Sequence, residues 1–166
     1  MLAWLDTSLR PLSWKANQVL ARFSDESIRL KALELLQTIP SKRNWYNGFE
    51  LILSSFRPED EEAIITALQT HRFPNEWHLH SAGMDVIKLA ETYPEVAFRE
   101  PLLWFYERTP CSICRYNIVV ELDKRQLVPK EIWEECFDDC DVGLRELAEK
   151  HLASAELFSP LRSTNP

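Results

Sequence analysis

The chain has 166 residues, of which 45% are hydrophobic, so it is long enough and apolar enough to bury a core of its own. Its formal net charge is −7, and its adjacent basic residues, such as Lys42–Arg43, form no cluster larger than a pair, which disfavours generic binding to nucleic acids and to anionic membranes. Only three glycines are present, Gly48, Gly83 and Gly143, so neither a G-x-G-x-x-G nor a Walker motif can be written and helices are favoured over β structure.

Prolines separate a series of segments in which apolar residues recur at helical spacing. The clearest helix covers 24–39, with Ser24 as its expected N-cap and with Ile28, Ala32 and Leu35 on one apolar face. The pattern as a whole predicts nine helices, at about 13–22, 24–39, 43–56, from Pro58 onwards, 75–92, 95–108, 111–126, 130–138 and 141–154.

Local features refine this series. Pro101 lies inside the predicted 95–108 helix, where we expect a kink. The acidic run at 59–62 is interpreted as complementing the dipole of the fourth helix. No flexible linker interrupts the series, which predicts a single domain over 1–158 followed by a frayed tail at 159–166.

Two of these segments align with each other without gaps: DESIRLKALELL at 25–36 and DVGLRELAEKHL at 141–152. Both begin with Asp and place an apolar residue before an Arg, so that Arg29 corresponds to Arg145. This pattern resembles the second helix of a HEAT repeat.

Two further segments extend the likeness. The proline-containing segment 95–108 is similar to a HEAT first helix, and 111–122 fits the second helix more loosely, with Arg115 in the Arg position. The segment 43–92 departs from the pattern. The resemblance implies an all-α fold of stacked antiparallel helix pairs, a HEAT-like α-solenoid of about four to five repeats. It implies structural roles for the Asp and Arg residues, and no catalytic ones.

The four cysteines are the most informative set of candidate site residues. Cys111 and Cys114 form a C-x-x-C at the start of the seventh helix, and Cys136 and Cys140 form a C-x-x-x-C at the end of the eighth. A short link between these helices favours antiparallel neighbours, which predicts that Cys111, Cys114 and Cys136 lie near one another.

Three roles for these cysteines stay open. They can pack as small hydrophobes, bind a structural zinc ion, or carry redox or disulfide chemistry. Packing is the preferred interpretation, because the spacing is a poor match to a zinc ribbon and no strand–helix context accompanies the C-x-x-C. No metal site or cofactor is therefore assigned.

The other candidate residues give weaker indications of function. His78 and His80 stand two apart on a predicted helix and face different sides, which favours solvated or capping roles over metal ligation. Neither H-E-x-x-H nor G-x-S-x-G occurs. Most of the six tryptophans are expected to pack between helices, while Trp4 and Trp77 are candidates for a protein-binding surface.

We expect from these features a non-enzymatic protein-binding or adaptor module whose partner is another protein. The alternatives are a cysteine-dependent protein, as a zinc-stabilised module or a thiol redox factor, and a HEAT-like base-excision glycosylase, which the lack of a basic face disfavours. The N-terminal MLAWLDTSLRPL is a poor signal peptide, and no run of 18 apolar residues occurs, so we expect a cytoplasmic protein that does not engage membranes.

The dispersed basic residues predict weak or absent binding to duplex DNA at physiological salt, because phosphate binding needs clustered positive charge. Fluorescence anisotropy with a labelled duplex measures this directly. Tight binding that weakens steeply as salt rises would contradict it, since it would show that the fold gathers the basic residues into one patch.

Overall fold

The computed structural model describes residues 10–38 and 45–157, and all regular structure within these ranges is helical, which confirms the all-α prediction for them. A single 3₁₀ turn, Pro58–Asp60, precedes the fourth helix. The α-helices are α1 (Arg10–Leu20), α2 (Glu26–Gln37), α3 (Asn47–Ile52), α4 (Glu61–Thr70), α5 (Glu76–Thr92), α6 (Arg99–Tyr106), α7 (Ser112–Lys124), α8 (Lys130–Phe137) and α9 (Val142–Leu157). Trp4, Lys42–Arg43 and the tail at 159–166 lie outside the described residues.

The helices pack in two layers. In the odd layer, α1 packs on α3, α3 on α5, α5 on α7 and α7 on α9. In the even layer, α2 packs on α4 and α4 on α6, and α8 joins them because the Tyr106 hydroxyl of α6 donates to Glu135 of α8. Contacts of α2 with α3, α6 with α7 and α8 with α9 hold the layers together. Over the described residues, no helix is both long and apolar enough to cross a membrane.

Aromatic side chains fill the space between the layers. Phe49 of α3 and Phe105 of α6 are almost fully buried, with ring centroids 6.4 Å apart, and Phe73 lies 6.1 Å from Phe105. Helices α2 and α3 approach closely at Gly48, where a Cβ would lie 2.7 Å from the Leu36 Cγ atom. Glycine is therefore required at this crossing, because there is no space for a Cβ atom.

Three of the differences between the helix boundaries and the sequence prediction have a visible local cause. Asp25, not Ser24, is the N-cap of α2, and its carboxylate accepts from the Ser27 amide. Helix α3 ends at Ile52, after which the Ser54 hydroxyl donates to the Ala21 carbonyl. Phe98 has a left-handed φ of 46°, so α6 begins only at Arg99.

The late start of α6 also changes the role of Pro101. Pro101 is the third residue of the helix, where the backbone N–H that proline lacks has no intrahelical partner. The reason for expecting a kink there is thereby removed. Phe98 holds its left-handed conformation while fully buried, with its ring 5.1 Å from that of Phe56.

A buried ion pair joins α2 to the start of α4. Arg29 is 7% exposed and Asp60 is 2% exposed, and the Arg29 Nε atom donates to the Asp60 carboxylate at 2.8 Å. A second Arg29 nitrogen bonds the other Asp60 oxygen, and the Arg57 amide donates to Asp60 at 2.9 Å. The acidic run at 59–62 stands at the start of the fourth helix as the sequence predicted, and Asp60 has in addition a role that was not predicted, as the buried partner of Arg29.

Asp141, the first residue of the segment 141–152, has a structural role, as was expected for the Asp of that segment. The Asp141 carboxylate accepts from the Leu144 amide at 3.1 Å, as a side chain that caps α9 does. Arg145 donates at 2.6 Å to the Asp139 carbonyl just before the helix. Both residues therefore make local structural contacts.

Replacement of Asp60 by alanine should destabilise the fold by up to roughly 3–5 kcal/mol, because the Arg29 guanidinium would lose its buried counter-charge and keep only its ion pairs with the exposed Glu26 and Glu59. Urea denaturation followed by circular dichroism gives the free energy of unfolding. Glu34→Ala is the matched control, since Glu34 pairs with Lys31 at the surface and should contribute less than about 1 kcal/mol. Equal losses in the two variants would contradict the assignment.

Candidate metal centre on helices α5 and α7

Three donor side chains of metal-ligand type converge where α5 packs on α7. His80, Cys111 and Cys114 each place one ligand atom so that the three atoms lie within 4.8 Å of one another. The Cys114 Sγ atom is 3.1 Å from the His80 Nδ1 atom. Met84 adds a fourth soft atom, since its Sδ lies 3.7 Å from the Cys114 Sγ. We call these four residues the sulfur–imidazole cluster.

Two helices position the cluster. On α5, His80 and Met84 stand four residues apart and so share one face. The register of α5 is set by Asn75, whose side chain accepts from the His78 amide. On α7, Cys111 is the N-cap residue and Cys114 is the third residue of the helix.

Thr109 supports the cluster from behind. Its hydroxyl oxygen accepts from the Cys111 amide at 3.3 Å, and the residue is 7% exposed. The hydroxyl also makes a hydrogen bond that favours the thiolate form of Cys114, so it acts on both cysteines. Such outer contacts fix the orientation of side chains that ligate metals.

Burial decides the protonation of the central thiol. Desolvation, with a smaller contribution from the Cys111 thiol, raises the pKa of Cys114 to about 12. The start of a helix ordinarily favours the thiolate, but here the loss of solvent outweighs that effect. Burial therefore makes the Cys114 thiol a poor nucleophile.

The other two cysteines lie in different surroundings. Cys136 is fully buried on α8 beside the Tyr106 hydroxyl, and burial raises the pKa of its thiol. Cys140 is exposed in the link to α9. Neither belongs to the sulfur–imidazole cluster, so the structure replaces the four-cysteine set considered from sequence with two cysteines, His80 and Met84. Cys136 faces α6, because α8 continues the even layer.

Sequence reasoning assigned His80 to a solvated or capping role and so missed it as a member of this group. Its ring contacts Cys114, which lies 34 residues further along the chain, and no local motif predicts this contact. The one usable signal is the pairing of His80 with Met84 at i and i+4, since it places two soft ligand types on one helical face.

A second feature of this region is exposed apolar surface. Trp77 is 65% exposed and Met84 is 37% exposed on α5, and Ile113 is 63% exposed on α7. Tyr116 of α7 lies against Gly143, next to the exposed Val142. We call Trp77, Met84, Ile113, Tyr116 and Val142, which all lie on helices of the odd layer, the apolar strip. Trp77 is thus exposed as expected of a surface candidate, while Trp45 and Trp133 are buried.

Comparisons of the chain with protein-family models, with curated proteins and with solved structures found no match.

Thiol accessibility gives a direct test of the site geometry. We expect Cys140 to react first with a soluble thiol reagent at pH 8, and Cys114 and Cys136 to react at least ~10-fold more slowly, because both are buried and have raised pKa values. Peptide mapping after timed alkylation identifies each residue. Cys140→Ser should remove the fastest phase alone, and rapid labelling of Cys114 in the folded protein would contradict its placement.

Proposed function

We propose that the chain is a non-enzymatic protein-binding module that contacts its partner through the apolar strip. The observation that carries this is the exposure of Trp77 and Ile113, at 65% and 63%, on two helices that pack against each other. Tryptophan is enriched among the residues that dominate binding energies at protein interfaces. Large apolar side chains grouped on one layer mark a contact surface better than single exposed residues do.

The negative charge of this chain restricts the class of partner that it can bind. The chain carries a formal net charge of −7, and Glu76, which precedes Trp77, is exposed. An acidic protein attracts positively charged partners and repels acidic ones during association. The partner that fits is a protein segment with apolar anchor residues and a positive net charge, while nucleic acids and anionic membranes do not fit.

We further propose that the two layers form a HEAT-like α-solenoid in the cytoplasm. The two-layer packing supports this, with α6–α7 and α8–α9 as successive pairs of first and second helices. Free cysteines fit a reducing compartment. The alignment of 25–36 with 141–152 does not extend to position in the stack, because α2 packs in the even layer and α9 in the odd layer. The shared Asp therefore reflects helix capping, while the shared Arg makes different contacts in the two segments, Arg29 with the Asp60 carboxylate and Arg145 with the Asp139 carbonyl.

The test uses serine substitutions that leave the core untouched. Trp77→Ser and Ile113→Ser should each weaken partner binding ~10-fold or more, because they remove anchors from the apolar strip. Partners captured by affinity purification are re-expressed, and their dissociation constants are measured with each purified variant. Leu30→Ser is the matched control, since Leu30 is 56% exposed but lies on α2 in the even layer.

The result of this test shows whether the odd or the even layer carries the contact surface. Binding that survives both odd-layer substitutions, or that is lost equally with Leu30→Ser, would reject the apolar strip as the contact surface. Thermal melting of the variants should stay within a few degrees of the unsubstituted protein, because exposed side chains contribute little to the free energy of unfolding.

A further inference from the structure

We propose that the sulfur–imidazole cluster binds a soft metal ion, monovalent copper, through the sulfur atoms of Cys111, Cys114 and Met84 and the Nδ1 atom of His80. This inference does not depend on the protein-binding proposal.

The spacing of the donor atoms is close to what one metal ion requires. With metal–sulfur bonds of about 2.3 Å and metal–nitrogen bonds of about 2.0–2.1 Å, neighbouring ligand atoms in a tetrahedral site lie roughly 3.5–3.8 Å apart. The Cys114 Sγ atom is 3.7 Å from the Met84 Sδ and 3.1 Å from the His80 Nδ1. The Cys111 sulfur lies within 4.8 Å of the other two donors of the His80–Cys111–Cys114 group.

The kinds of donor select the metal. Thiolate and thioether sulfur favour monovalent copper, whereas zinc sites are built from Cys, His and carboxylate ligands and do not use a thioether. Among the described residues, the group that meets the ligand spacing contains no carboxylate, so it offers nothing to hard cations such as magnesium or calcium.

Access and burial are divided between the two helices. His80 and Met84 are exposed on α5, and they form the solvent side through which an ion enters. Cys114 is buried and Cys111 half-buried at the protein side. Thr109 holds the Cys111 backbone, as outer contacts do at metal sites.

Proton release accompanies binding. As the copper–sulfur bonds of Cys111 and Cys114 form, the two S–H protons leave to solvent and the copper stays monovalent, so no oxidant or reductant is needed.

Competition with a chromogenic chelator specific for monovalent copper tests the proposal on the reduced full chain. We expect one copper ion per chain, with affinity lowered ~100-fold by Cys111→Ser or Cys114→Ser, since each removes one of the few bonds that hold the ion. His80→Ala and Met84→Leu should lower affinity ~10-fold or more, which a site made of two thiols alone would not show. Cys140→Ser is the matched control and should bind as the unsubstituted chain does.

X-ray absorption at the copper edge supplies an independent readout. We expect sulfur scattering at about 2.3 Å together with a nitrogen shell that His80→Ala removes. His80 and Met84 are exposed, so their variants keep the test valid even where Cys114→Ser fails to fold. Unchanged affinity in both His80→Ala and Met84→Leu would overturn the four-ligand site. Tight zinc binding without copper binding would overturn the metal assignment.

Discussion

Charged groups buried between short helices are the constraint on which this stack depends. A guanidinium taken out of water has to be met by acceptors on a neighbouring element, because an unpaired buried charge costs several kcal/mol. Arg29 meets this need with Asp60 across α2 and α4. Arg125 does so at the end of α7, where it donates to the Val96 carbonyl at 3.0 Å and to the Glu121 carboxylate at 2.8 Å. Each arginine fixes one helix relative to another with directional bonds, which apolar contacts alone do not provide.

The sequence predicted the presence of helices well because two independent local signals agree, the 3.6-residue apolar period and the placement of prolines. It predicted boundaries poorly where tertiary contacts decide them. The left-handed Phe98 is held by burial against Phe56, and no rule of local propensity assigns that conformation to phenylalanine. The pairing of Asp60 with Arg29 was missed for the same reason. Its position suits a helix start, yet its partner Arg29 lies 31 residues earlier in the chain.

The same contrast between local signals and tertiary contacts applies to the candidate site. That Cys111 and Cys114 lie together follows from their three-residue spacing at a helix start, and the sequence predicted it. That His80 and Met84 complete the group, and that Cys136 faces Tyr106 instead, depends on which helices share a layer. Layer membership is a property of the whole stack, because it depends on contacts between helices that are distant in sequence. The position of Cys114 at a helix start predicts a lowered thiol pKa. Burial, which cannot be read from the sequence, raises the pKa of Cys114 instead.

Met84 connects the two functional proposals physically. It belongs to the apolar strip through its 37% exposure and to the sulfur–imidazole cluster through its sulfur, 3.7 Å from Cys114. A thioether bonded to copper is drawn towards α7, and the apolar area it presents to a partner changes. Two ligands that use one side chain differently are coupled, and the coupling is reciprocal: copper alters partner affinity by the factor by which the partner alters copper affinity. If both proposals hold, the metal site lies at the edge of the contact surface, and one side chain, Met84, couples copper binding to partner binding.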